Sequence, residues 1–107
     1  MATLAGMELE VVDNEERERF EMRSGRKVIG WAAYQETAEL IVFTHTHVDP
    51  EWEGQGIGGR LVQATLDHVR SQGMPVLSTC SFVTAWLDQH PDYADLRYRA
   101  PQSQVTD

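Results

Sequence analysis

The sequence predicts a mixed α/β (α+β) fold: an antiparallel N-terminal meander followed by a βαβ crossover and a C-terminal helix. Three observations carry this reading. As far as His47 the apolar residues recur with strand periodicity between short turn signals. From Ile57 the period becomes helical. Between the two lies a polar, glycine-rich stretch, residues 51–56, that follows neither period.

Residues 8–12 alternate weakly, carry Leu9, Val11 and Val12, and end at Asp13-Asn14, a turn signal. Residues 19–23 place Phe20 and Met22 on one face and charges on the other, with Ser24-Gly25 as the next turn. Residues 27–35 form a longer strand, with Ile29, Trp31 and Ala33 on one side and Val28, Gly30, Ala32 and Tyr34 on the other. Both sides are apolar, which places this strand centrally and Trp31 in the core. After a turn at 36–39, residues 40–47 (LIVFTHTH) are β-rich and make a second central strand. Short connections make these four strands antiparallel neighbours.

Asp49-Pro50 ends the fourth strand. In the helix that opens at Ile57, Ile57, Leu61, Ala64 and His68 share one stripe, widened by Val62, Leu66 and Val69. Gly73 suits its C-terminal cap, with Pro75 two residues beyond. Residues 75–80 (PVLSTC) read as a short buried strand. Residues 82–89 read as a second helix stopped by His90-Pro91, and residues 92–96 as one further turn. The helix between strands 40–47 and 75–80 is a crossover, so those strands run parallel and adjacent. A sheet that switches there from antiparallel to parallel places a ligand crevice at the strand carboxyl ends. Residues 1–98 are expected to form one domain and the polar residues 99–107 a disordered tail.

The formal net charge is −8 in 107 residues, which excludes a general electrostatic footprint for nucleic acid. An anionic ligand must then be held by local backbone dipoles. The single cysteine, Cys80, can form no internal disulfide and builds no zinc site alone. No apolar run approaches the roughly 18 residues of a membrane span, and no basic-then-apolar leader opens the sequence. A cytoplasmic location is expected.

Residues 48–61 (VDPEWEGQGIGGRL) supply such a dipole site. Gly54, Gly56, Gly58 and Gly59 crowd the entry to a helix whose first amides have no intrahelical partner. Backbone amides from Gln55 through Ile57 to Gly58, with the helix dipole, can hold a pyrophosphate without a cationic side chain. The alternative is a glycine-rich loop before an ordinary helix. No Lys-Ser/Thr pair follows the glycines, so this is no nucleotide P-loop, and the element order is wrong for a dinucleotide fold.

The stretch VDPEWEGQGIGGRLVQATLDHV resembles the acetyl-CoA signature of the GNAT superfamily of N-acetyltransferases. With CSFVTAWLDQHPDYADL it is similar to the small single-domain GNAT-like branch, over roughly residues 28–96. The signature falls on residues 53–58, and departs from the family at Glu53, where Gln or Arg is usual. The resemblance implies a GNAT-like mixed sheet and acetyl-CoA as co-substrate. It also places Val48 and Asp49 where the strand backbone meets the pantetheine arm.

For chemistry, the resemblance puts Cys80 beside the thioester. It reads as an acyl-accepting nucleophile or a general acid, or as a small buried hydrophobe at a strand end. His45 and His47 share one strand face. His45 matches the branch's HTxV pattern and reads as a base acting on an amine or on Cys80, or as a hydrogen-bonded sheet histidine. No third ligand accompanies the two histidines, so no metal is expected. Full-length relatives often use a Tyr on the last helix as acid; here that helix has Trp86 and no Tyr, and Tyr93 follows it. His68 and His90 read as structural, and Trp52 as a cover for the ligand or a subunit contact. Two functions follow: an N-acetyltransferase acting on a small-molecule or protein amine, with cationic acceptors favoured by the acidic charge, or a non-catalytic CoA or acyl-CoA sensor module. A protein-interaction domain is a remoter third. A sheet this small can also pair as a homodimer.

Overall fold

The computed structural model describes residues 2–4 and 7–99. Residues 100–107 of the polar tail lie outside the described residues. Six strands form one sheet in chain order: β1 (Ala2–Leu4), β2 (Met7–Asn14), β3 (Arg19–Ser24), β4 (Lys27–Glu36), β5 (Ile41–Val48) and β6 (Val76–Ser78). All neighbours are antiparallel except β5 and β6, which are parallel as the crossover requires. The three-residue edge strand β1 adds to the expected set; it is too short to show periodicity. Strand β2 continues through Asp13-Asn14, and the turn falls one step later, in a 3-10 turn at Glu15–Arg17. There the Asn14 side chain accepts the Arg17 amide and Glu18 takes a left-handed φ of 52°.

Helix α1 (Ile57–Ser71) and helix α2 (Ser81–Gln89) both cover the same face of the sheet, where Val62, Leu66 and Val83 close on Ala32 and Phe43. The face α1 buries is Ile57, Leu61, Val62, Thr65, Leu66 and Val69. Each aliphatic side chain there contributes about 1.5–3 kcal/mol relative to exposure. The buried stripe is rotated from the expected one: Thr65 is inside, Ala64 is half-buried and His68 is exposed, its ring edge-on to Phe20. Gly73, at φ +71°, ends α1. Its amide donates to the Arg70 carbonyl and the Met74 amide to that of Val69, the paired bonds of a Schellman cap.

Two bulges set which side chains face the helices. Ile29 is an extra residue on β4 between the pairs Met22–Gly30 and Arg23–Val28. Thr44 is an extra residue on β5 between Tyr34–Phe43 and Ala33–His45. Ile41 and Phe43 therefore point to the helices before the bulge, and Thr46 and Val48 after it. The other face is uncovered. Trp31, expected in the core, lies there half-buried, with Arg19 over its ring at 5.2 Å, because among the described residues no helix packs on that side. Glu21 is also on that face and is 1% exposed. Arg19, Arg23 and Asn14 shield it and hydrogen-bond its carboxylate at 2.7–3.2 Å. Burial alone would raise its pKa, but these donors hold the carboxyl below its ordinary value.

Candidate acyl-CoA cleft

A cleft of about 380 Å³ opens between the end of β5, the glycine turn, the start of α1 and the start of α2. Four elements make it. After Asp49, a 3-10 turn at Pro50–Trp52 swings the chain away from the sheet. Gly54 and Gly56 then take φ +79° and +76°. Gly56 is the N-cap of α1 in the left-handed region, which a residue with a Cβ adopts only with strain. Its carbonyl accepts the Arg60 amide at 3.1 Å, while no side chain caps the first turn. The amides of Ile57, Gly58 and Gly59 are thus left for a ligand, at the helix end that favours negative charge.

The second component is the edge of β5. Strand β6 pairs with it only over Ile41–Phe43, and the last bond across is the Thr79 amide to the Phe43 carbonyl at 2.9 Å. Beyond Phe43 the two elements part, since the chain turns into α2 at Cys80. The Asp49 amide donates to the Ile29 carbonyl of β4 at 2.8 Å. By strand alternation, the peptide groups of Thr46 and Val48 face the other way, into the gap where β6 has ended. Among the described residues, the cleft therefore offers a free strand edge beside a free helix terminus.

The third component is the inner end. Cys80 is 8% exposed at the N-cap of α2, which also begins without a side-chain cap. Its Sγ lies 3.3 Å from Oγ1 of Thr46, which borders the cleft. The Cys80 carbonyl accepts the Thr84 amide and the Ser78 hydroxyl, fixing the start of α2. The walls are apolar: Val48, Trp52, Ile57 and Phe82. Phe82 is 46% exposed and its ring occupies the space a side chain on Gly58 would fill; a Cβ there would meet Phe82 Cζ at 2.7 Å. Gly58 is thus small because α2 packs into it. Gly59, whose added Cβ would lie 3.8 Å from Trp86 Nε1, is under no such constraint.

Of the ligand-binding residues read from the sequence, Val48, Gly54, Gly56, Ile57 and Gly58 border the cleft. Asp49 does not: its amide is committed to Ile29, and its carboxylate lies 3.3 Å from His47 Nε2. Gln55 lies across Trp52, in a neighbouring hollow with Lys27 and Glu51. Cys80 and His45 are not brought together. His45 and His47 are exposed on the uncovered face, with ring centroids 5.5 and 5.3 Å from Trp31, while Thr46 between them reaches Cys80. Tyr93 is 8% exposed and donates its hydroxyl to Asp67 at 2.7 Å; that bond, then burial, raises its pKa. His90 stacks on Trp86 at 3.7 Å, a packing role. The sequence reading missed Thr46 and Phe82. Strand period two, counted from His45 and His47, separates Thr46 and Val48 onto the other face. Phe82 carries a weaker signal, an apolar residue off the buried stripe of α2, Val83, Trp86 and Leu87.

Among curated proteins, no sequence matches this chain. Solved structures share its fold. A GCN5-like protein of Staphylococcus aureus, solved by NMR, matches with a TM-score of 0.63 at 21% identity, over 94% of this chain and 97% of that one. A Deinococcus radiodurans R1 protein assigned to the acetyltransferases matches with a TM-score of 0.52 at 14% identity, over 100% and 92%. The ribosomal-protein-alanine N-acetyltransferase of Brucella melitensis biovar Abortus 2308 matches with a TM-score of 0.52 at 16% identity, over 83% of this chain and 66% of that enzyme. The sequence profile of the GCN5-related N-acetyl-transferase family matches residues 19–96. With that profile spanning most of the chain and the mixed sheet shared with these structures, the protein belongs to the GCN5-related N-acetyltransferase family.

Proposed function

We propose that the cleft binds acetyl-CoA and that the protein transfers its acetyl group to an amine. One observation carries this reading: the uncapped start of α1 and the unpaired edge of β5 border the same cleft. The first suits a diphosphate and the second the amide-bearing pantetheine arm. The reactive end then lies toward Thr46 and Cys80. Cys80 Sγ attacks the thioester carbonyl, the carbon–sulfur bond to CoA breaks, and CoA leaves as the thiol with the Cys80 proton. An amine then attacks acetyl-Cys80, the carbon–nitrogen bond forms, the carbon–Sγ bond breaks, and the amine proton returns to Sγ. In the direct alternative the amine attacks acetyl-CoA itself and Cys80 protonates the leaving thiolate. His45 enters from the uncovered face, as a base for an amine that reaches the thioester through the gap between β5 and β6. The net charge of −8 steers cationic acceptors toward the protein.

A second reading, a non-catalytic CoA or acyl-CoA sensor, has its own support: Cys80 has no histidine beside it and the Tyr93 hydroxyl is tied to Asp67. Intact-mass analysis after incubation with acetyl-CoA separates the two. An acetyl adduct that disappears in Cys80→Ala supports the nucleophile. Absence of adduct, of thioester hydrolysis and of product across an amine panel, with CoA still raising the melting temperature, leaves only the sensor. No thermal shift with CoA refutes both.

A further inference from the structure

Resting on the transferase reading above, we propose that the acceptor is a primary monoamine with an apolar body, selected on the uncovered face of the sheet over polyamines and small polar amines. Two large apolar side chains are exposed among the described residues, Phe82 at 46% and Leu77 at 41%. They lie on opposite sides of the sheet beside the same gap. Phe82 borders the cleft. Leu77 of β6 pairs with Val42 of β5, and both point away from the helices, because their chain neighbours Val76 and Phe43 are each 1% exposed in the core. One residue further on, Phe43 pairs with Ser78, and after the bond from the Thr79 amide to the Phe43 carbonyl the strands part. An amine entering that gap from the uncovered face has the Val42–Leu77 pair at its start. Further along β5 it has His45, whose ring is 5.5 Å from that of Trp31. Exposed apolar side chains gathered at one opening mark a binding surface rather than scattered surface residues.

The charges on that face point the same way. Strands β5 and β6 contain no carboxylate, and the one on β4, Glu36, pairs with Ile41 and so shares the helix side. On β3, Glu21 is 1% exposed and already accepts from Arg19, Arg23 and Asn14. Asp49 lies beside His47, four residues past His45 or about 13 Å along the strand. The net charge of −8 draws an ammonium in from a distance, but the face it arrives on is not acidic. The reacting amine needs no second charge partner there. A further ammonium on the acceptor would meet two guanidiniums around a single buried carboxylate, whereas an apolar body would cover Val42 and Leu77.

The experiment is steady-state acetylation by the whole chain, with acetyl-CoA as donor and 2-phenylethylamine, ethanolamine and spermidine as acceptors. 2-Phenylethylamine is expected to exceed the other two in kcat/KM by about tenfold or more. Leu77→Thr, which keeps a good strand former, should narrow that advantage by about threefold to fivefold through the acceptor KM, with the KM for acetyl-CoA unchanged. Leu77→Asp should abolish the advantage and favour spermidine. Spermidine or ethanolamine acetylated as well as 2-phenylethylamine overturns the inference alone and leaves the transferase reading standing. So does a selectivity unchanged in both Leu77 variants; if a dimer of the native chain is lost in them on sedimentation, the apolar pair belongs to a contact with a second copy. No acetylation of any acceptor, with CoA still raising the melting temperature, overturns the transferase reading and the inference with it.

Discussion

Gly58→Ala tests the geometry of the cleft most sharply, because its effect should change sign with one other residue. A Cβ at Gly58 would lie 2.7 Å from Phe82 Cζ and 3.3 and 3.4 Å from the flanking ring carbons. Ordinary carbon contacts are about 3.5–4.0 Å, so the ring tip must retreat by roughly an ångström. Phe82 is 46% exposed, so the ring can swing toward solvent, and what it loses is its buried half. A phenylalanine buries about 150–250 Å², so half is about 100 Å², or at most ~2.5 kcal/mol at ~25 cal/mol/Å². Compactness of the unfolded chain and partial retreat reduce this to about 1–2 kcal/mol. A loss of that size lowers Tm by roughly 5–10 °C in a domain of this length. In a Phe82→Ala background the obstacle is gone. There the same change replaces a helical glycine by alanine and should stabilise by up to about 0.5–1 kcal/mol. Urea unfolding of the four proteins in the cycle reads both values. Equal destabilisation by Gly58→Ala in both backgrounds would show that Phe82 is not what the residue accommodates.

Two further expectations concern the scaffold. Thr65 Oγ1 is buried with no hydrogen-bond partner, among Ala32, Phe43, Val62, Leu66 and Val83, so Thr65→Val should stabilise by about 1 kcal/mol. An unchanged or lower melting temperature would mean that the hydroxyl is satisfied. Glu21→Gln should cost about 1–2 kcal/mol at pH 7, less than a fully buried pair, because Arg19 and Arg23 are partly exposed. The native Glu21 carboxyl titrates below its ordinary value of 4.5. Its contribution is therefore fully present above that pH and is lost as pH falls through the depressed native value. Wild-type and variant stabilities should converge in acid; a difference that persists there would assign the effect to packing.

Much of the fold was legible because its signals are local. Strand alternation in residues 19–23 and 27–35, the switch to helical period at Ile57 and the Gly73 cap each depend on neighbours a few residues apart. The parallel pairing of β5 with β6 followed from the intervening helix. The rotation of the α1 stripe toward Thr65 was not legible, since Ala64 and His68 fit the same period and only the docking angle selects between them. Nor was the exposure of Trp31. An apolar strand with two apolar faces reads as central, and the chain does not say that both helices cover one face.

The site divides in the same way. The sequence alone determined the glycine-led start of α1 with its free first amides, the feature on which the proposed anion site rests, because an orphan helix terminus is a property of a few consecutive residues. Tertiary structure alone decided what surrounds it. The extra residue Thr44 sets the phase of β5, sending Thr46 to Cys80 and His45 away from it. The docking of α2 puts Phe82 where a Gly58 side chain would be. A bulge and a helix docking are fixed by long-range packing, which no run of adjacent residues encodes.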